Sequence, residues 1–234
     1  MRGCLFVLVL GAAILGSAAW FGSPIVASTV LATALQNAGF HAATSTVTAT
    51  SNPPPKLLLG RADRVEIRGT DVDFRTFHAA SLDLVLTDVD VVGRTAGRIT
   101  GRIVGAELTT TATEATSVDV DIDGDAAAAD ARIVVDAATV DRVVKATMQQ
   151  KFGVTVTSTE LAAPDTLRIG SAGATLEGRL VIDPSGAIAL STRIGSSPIL
   201  GLDPAFPLRF RAVGAVGGNL EIDATLDAET LLGG

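Results

Sequence analysis

The feature that most constrains this chain is an uninterrupted apolar run near its start. Cys4 to Phe21 reads CLFVLVLGAAILGSAAWF, eighteen residues with no charge and almost no polar side chain except Ser17. As a helix rising ~1.5 Å per residue it would extend about 27 Å, close to the ~30 Å hydrocarbon core of a bilayer. Arg2 and the amino terminus precede the run. The positive end is therefore expected to stay cytoplasmic and the rest of the chain to lie on the outer side. Trp20, the single Trp, and Phe21 close the run where interfacial aromatics sit, and Pro24 stops the helix. Two fates stay open, a retained transmembrane anchor and a cleaved signal peptide. The run is longer than the ~7–15 apolar residues of a secretory signal. Ser17-Ala18-Ala19 and Val26-Ala27-Ser28 are passable but imperfect cleavage sites. Either way residues 1–22 form the export segment and residues 23–234 an extracytoplasmic body. The body would be held at the cell membrane if the segment stays, and secreted or periplasmic if it is cut.

Several function classes are excluded at this level. Cys4 is the only cysteine, and it lies at the near end of the run, where a lipid-modified cysteine would not. The body thus has no thiol, no disulfide and no cysteine metal site. Net charge is −7, and the first 28 residues hold a single charge, Arg2, so the body is acidic. An acidic body is a poor nucleic-acid partner, and an anionic membrane would repel it unless local basic patches compensate. His41 and His78 are the only histidines and neither belongs to an H-E-x-x-H pattern, so they read as exposed strand or loop residues, with no metal. Gly170-Ser171-Ala172-Gly173 has the wrong spacing for a nucleophile elbow. Asp119, Asp121 and Asp123 suggest calcium, but their alternation with Val118, Val120 and Ile122 is better explained as the wet face of a strand. No catalytic residue, metal or cofactor is expected.

The body's hydropathy has two periods. Ile25 to Ala38 predicts a helix with Ile25, Leu31 and Leu35 on its apolar stripe and Gly39 as its stop. Ala42 to Ser51 is Thr-rich and extended, and Asn52-Pro53-Pro54-Pro55 is a rigid break of polyproline character. From Arg61 the period is two: Val65 and Ile67, then Leu82, Leu84 and Leu86, then Ile99 and Ile103, then Val118, Val120 and Ile122. Parity slips near Thr87-Asp88, which predicts a bulge or turn there. Asp136 to Phe152 predicts a capped helix with Val140, Val143, Val144 and Met148 on one stripe and Gly153 at its end. Strands Ala174–Ile182 and Ala187–Ile194 flank an Asp183-Pro184-Ser185-Gly186 turn. Pro204-Ala205-Phe206-Pro207 is another break, and Leu208–Val216 and Leu220–Leu226 flank Gly217-Gly218-Asn219. The class is α+β and strand-dominated.

Two groups of side chains are candidates for binding. Arg94, Arg98 and Arg102 recur every four residues, an even spacing that places all three on one face of a regular strand. They read either as a basic ladder for lipid phosphate, since Arg matches phosphate oxygens in a bidentate way, or as a solvated face paired with Asp119–Asp123. The stripes Val140, Val143, Val144, Met148 and Leu82, Leu84, Leu86 read either as plain core or as the walls of an acyl-chain cavity. The second reading has an energetic requirement. Extracting a ~16-carbon chain from a bilayer costs about 13 kcal/mol at ~0.8 kcal/mol per CH₂, which a long aliphatic tunnel can offset and a polar cleft cannot.

The block from Pro55 to Leu108 contains PKLLLGRADRVEIRGTDVDF, HAASLDLVLTDVDVV and AGRITGRIVGAELT. It resembles the LmeA-like family of bacterial envelope phospholipid-binding proteins. That family has a Pro, apolar pair, Gly, V-x-I/L opening strand, an A-S-L-D-L-x-L-x-x-V strand and a strand ending in A-x-L-T. The order of the later helix and terminal hairpin agrees, while Pro53-Pro54-Pro55 stands where a Gly-Phe-Pro lead-in is usual. The resemblance implies a tubular lipid-binding-like fold, a curved antiparallel sheet wrapped around one or two helices and an apolar cavity, following an N-terminal membrane helix. It carries over no catalytic residue. The expected function is an extracytoplasmic protein of envelope lipid or lipoglycan maintenance. Its partners would be a phospholipid or other acyl lipid and the membrane, with no nucleic acid, and no protein partner can be named. The rival is a structural or interaction module of the envelope with a fully packed core.

Overall fold

The computed structural model describes residues 22, 24–37, 39–74, 77–108, 116–193, 195–201 and 208–228. The apolar run 4–21, with its expected membrane helix, and the Pro204–Pro207 break lie outside them. Among the described residues no helix is long and apolar enough to cross a membrane.

Helix α1 covers residues 24–37, and Gly39 follows it at φ 95°. Ala27, Leu31 and Leu35 pack on the core, but Ile25 is 73% exposed, so the apolar face begins one turn later than the sequence stripe suggests. Ser28 Oγ accepts the Ala49 amide at 3.1 Å and ties α1 to the first strand. That strand is β1 (Phe40–Thr50). The prolines after it do not make a polyproline spacer. They open a 3₁₀ helix, Pro54–Leu59, where a missing N–H costs nothing, and Gly60 ends it in the left-handed region.

The chain then meanders through β2 (Arg61–Phe74), β3 (Phe77–Asp90), β4 (Arg98–Leu108), β5 (Thr116–Asp125) and β6 (Ala129–Val135). The parity slip read at Thr87-Asp88 is a backbone event: Asp88 takes φ 53°, after which Val89 is the buried residue. Helix α2 (Ala137–Phe152) follows, then β7 (Val156–Ala162), β8 (Thr166–Ser171), β9 (Ala174–Ile182), β10 (Ile188–Thr192), β11 (Gly195–Leu200), β12 (Leu208–Val216) and β13 (Asn219–Leu226).

These strands form two antiparallel sheets rather than one. Eight strands run in the order β1-β2-β3-β4-β5-β6-β13-β12, and five in the order β11-β10-β9-β8-β7. The terminal hairpin thus closes onto β6, through pairs such as Ile222↔Ile133 and Leu226↔Ala129. Alternation makes the large sheet two-faced. Val65, Ile67, Leu84, Leu86, Ile99, Val120, Ile122 and Ile133 are buried on one face, and the other carries Asp, Arg, Glu and Thr residues with Val85 and Val134 among them. Helix α2 packs against β7, β11 and β13, so it bridges the sheets.

The α2 cap works as its sequence suggests. Asp136 accepts the Thr139 amide and hydroxyl, both at 2.9 Å, and Gly153 ends the helix at φ 64°. Asp136→Ala should cost about 1 kcal/mol, within the ~0.5–2 kcal/mol range of N-caps, checked by denaturant melts. The Thr139 amide and hydroxyl also hold the Asp136 carboxyl below its ordinary 3.8. Its stabilisation is complete above that value and is lost as pH falls through the lower folded value, so the gap between wild type and Asp136→Ala should narrow in acid.

Candidate functional site

Two cavities accompany the two sheets. The first lies on the inner face of the large sheet, against Leu35 of α1. Its walls are wholly apolar and include Leu82, Leu84, Leu86, Ile99, Val120 and Ile133, with a volume of about 100 Å³. The second is a groove between α2 and the small sheet, with a volume of about 520 Å³. Val144, Met148, Phe152, Ile169, Leu176 and Leu190 supply its apolar walls, and Ser171, Thr175, Thr192, Ser196 and Ser197 supply hydroxyls. No charged side chain lines either cavity.

Size separates what the two can hold. An apolar cavity of ~150 Å³ accommodates a benzene ring, six carbons. By that proportion the sheet-face cavity fits about four carbons, and the α2 groove about twenty, enough for one long acyl chain. The groove also falls within the ~300–1,000 Å³ range of ligand pockets, whereas the sheet-face cavity lies below it.

The candidate acyl-chain residues are therefore divided. Val144 and Met148 line the groove. Val140, one turn earlier, is buried at 4% exposure away from it, and Val143 is half-buried outside both cavities. Leu82, Leu84 and Leu86 line the sheet-face cavity instead. The stripe of α2 and the stripe of β3 do not share a wall. Helical spacing reports which residues leave water, but not whether protein or empty volume lies opposite. Of the groove's other residues, Leu176 and Leu190 come from the two strands that flank the Asp183–Gly186 turn and do pair across it, whereas Ile169 and Ile199 come from β8 and β11, for which no strand was expected.

The arginines are also divided. Arg98 and Arg102 share the solvated face of β4, while Ile99 and Ile103 face the sheet-face cavity. Arg98 Nη2 donates to Asp123 Oδ1 at 2.6 Å, and Arg102 Nη2 donates to Asp119 Oδ2 at 2.7 Å. Hydrogen bonding from Arg102, joined by the Gly105 amide, holds the Asp119 carboxyl below its ordinary value. Arg94 does not belong to the strand; it sits in the 91–94 turn at φ 56°. Even spacing placed two of the three residues on one face, and a turn removed the third. The guanidinium groups of Arg98 and Arg102 have aspartate partners on the strand face opposite the sheet-face cavity. Arg98→Gln with Arg102→Gln should leave bound lipid unchanged and move the melt little, as solvent-screened pairs do, read by lipid extraction and melting together.

His78 Nδ1 hydrogen-bonds Asp73 Oδ1 at 2.8 Å, which raises the imidazole above its ordinary value. His41 is exposed on β1. Among the described residues no group of three or more His, Cys, Asp or Glu could hold a metal ion. The aspartates of β5 point outward between buried Val118, Val120 and Ile122, and serve as arginine partners.

A family model described as LmeA-like phospholipid-binding matches residues 18–225, most of the chain. No curated protein and no solved structure matches it.

Proposed function

The chain belongs to the LmeA-like phospholipid-binding family, and from that premise we propose that it holds one phospholipid acyl chain in the groove between α2 and the small sheet. The observation that carries this reading is the groove itself, about 520 Å³ with Val144, Met148 and Leu176 in its walls and no charge. Such a wall replaces the bilayer interior for the chain, and the Ser and Thr hydroxyls offer donors to the ester region next to it. The protein performs no chemistry of its own. We place the body outside the cytoplasm, delivered by the apolar 4–21 run, in maintenance of envelope lipid or lipoglycan.

A fluorescent polyene fatty acid tests the groove. Its emission should rise on binding and fall again on addition of diacyl phospholipid, because both compete for one aliphatic environment. No rise, or a rise that phospholipid does not reverse, contradicts the reading. A reporter enzyme that works only in the cytoplasm, fused after Gly234, should be silent, and activity there would reject the topology.

A further inference from the structure

We propose that one end of the large sheet docks on the bilayer surface, through Leu58 and Leu59 of the 3₁₀ helix and Val92 of the 91–94 turn. These side chains are 53%, 73% and 80% exposed. They form one patch. The Val91 amide donates to the Gly60 carbonyl at 2.8 Å, and a Cβ on Gly60 would meet Val92 Cγ2 at 2.8 Å, so the turn rests on the end of the 3₁₀ helix. Isolated exposed aliphatics are ordinary, but three adjoining ones on two connecting segments are not.

Strand register fixes which end this is. Thr50↔Arg64, Arg64↔Thr87, Thr87↔Arg98 and Arg98↔Asp125 form a continuous row beside the patch. Phe40↔Phe74 and Phe74↔Phe77 mark the far end. Helix α1 runs against β1 in the opposite direction, with Ser28 bonded to Ala49 and Leu35 beside Phe40 in the sheet-face cavity. Its first turn is thus at the patch end, where Ile25 and Val26 are also exposed, at 73% and 53%. The apolar run 4–21 joins the body at this same end. That convergence selects a bilayer as the occupant. The charges around the patch already pair with one another, Lys56 with Asp63 and Arg61 with Asp90 at 3.5 Å each, so it presents hydrocarbon rather than a cationic surface. The expected contact is shallow insertion of aliphatic side chains below the headgroups, with little dependence on lipid charge.

The docking rests on the membrane placement proposed above but not on the groove, whose walls belong to α2 and the small sheet. The test uses the whole chain with Cys4→Ser in phosphatidylcholine vesicles. One new cysteine at a time, Leu59→Cys, Val92→Cys or Val216→Cys, carries an environment-sensitive fluorophore. Val216 is 57% exposed beside the β12–β13 turn, at the opposite end of the sheet, and serves as the wet control. A quencher carried on a lipid chain should quench the labels at 59 and 92 severalfold more than the label at 216. Equal quenching at all three sites overturns the proposal. So does a blue shift at 59 and 92 without quenching, because a protein surface would then cover the patch. Co-purifying lipid in the same preparations reports on the groove separately.

Discussion

Val144→Trp is expected to lose most of its bound lipid while melting within a few degrees of wild type. Val144 lines the groove, and a larger side chain there is expected to reach into it. The indole would occupy volume that otherwise holds methylenes of an acyl chain. Val140→Trp is the paired control on the same helix. Val140 is also buried but faces packed protein, so the same enlargement should overpack the core and cost ~1–3 kcal/mol. At ~2–4 °C of melting temperature per kcal/mol for a body of this size, Val140→Trp should melt ~2–12 °C below wild type, so lipid content is the readout that separates the two variants. The expected pattern is crossed: lipid lost with the melt kept at Val144, and the melt lowered with lipid retained in the folded fraction at Val140. Equal loss of stability at both sites with unchanged lipid would mean that the groove is ordinary core.

Gly101→Ala should be the most damaging single-atom addition in the large sheet. Gly101 sits in β4 at φ 153°, where L side chains are strained. A Cβ there would land on the carbonyl oxygen of Asp83 and 2.9 Å from the Leu84 Cα. Both obstacles are backbone of the neighbouring strand, so no rotamer change relieves them. The β3–β4 pairing Leu84↔Gly101 must open instead, disturbing the ladder on which Ile99 and Ile103 are mounted. A loss of roughly 3 kcal/mol or more is expected in denaturant unfolding, in the range reserved for strain and disrupted pairing. Gly173→Ala is the comparison, since its added Cβ meets nothing within 4 Å although φ is 90°. It should cost only ~1 kcal/mol for the left-handed backbone. Equal costs at the two glycines would contradict the close approach of β3 and β4.

Particular residues show what the sequence made legible. Helix α2 was readable to its ends because Asp136 and Gly153 are chemically suited to their cap positions. Strands β12 and β13 were readable because Gly217 and Gly218 both take positive φ in the turn between them. The faces of β3, β4 and β5 were readable from alternation, including the slip at Asp88. Pairing across the fold was not. Period two identifies the buried face of a strand but not its neighbour, so the division into two sheets and the closure of β13 onto β6 could not be read. Strand β7, with the hydroxyl-rich sequence VTSTELA, has only one fully buried residue, Val156, and offers almost no alternation. The site was legible as a list of apolar residues and not as a shape. Val140 and Val144 are indistinguishable in hydropathy and burial, yet one faces protein and the other the groove.

Lipid content tests the central claim most directly. The body, purified gently and freed of loose lipid, is extracted with organic solvent, and the extract is quantified by mass spectrometry against protein concentration. About one phospholipid per chain is expected, because the groove fits about twenty carbons by the benzene scale, and Val144→Trp should carry much less. A folded wild-type protein free of acyl lipid, in which the polyene probe also fails to bind, would contradict the account and leave the groove without a ligand.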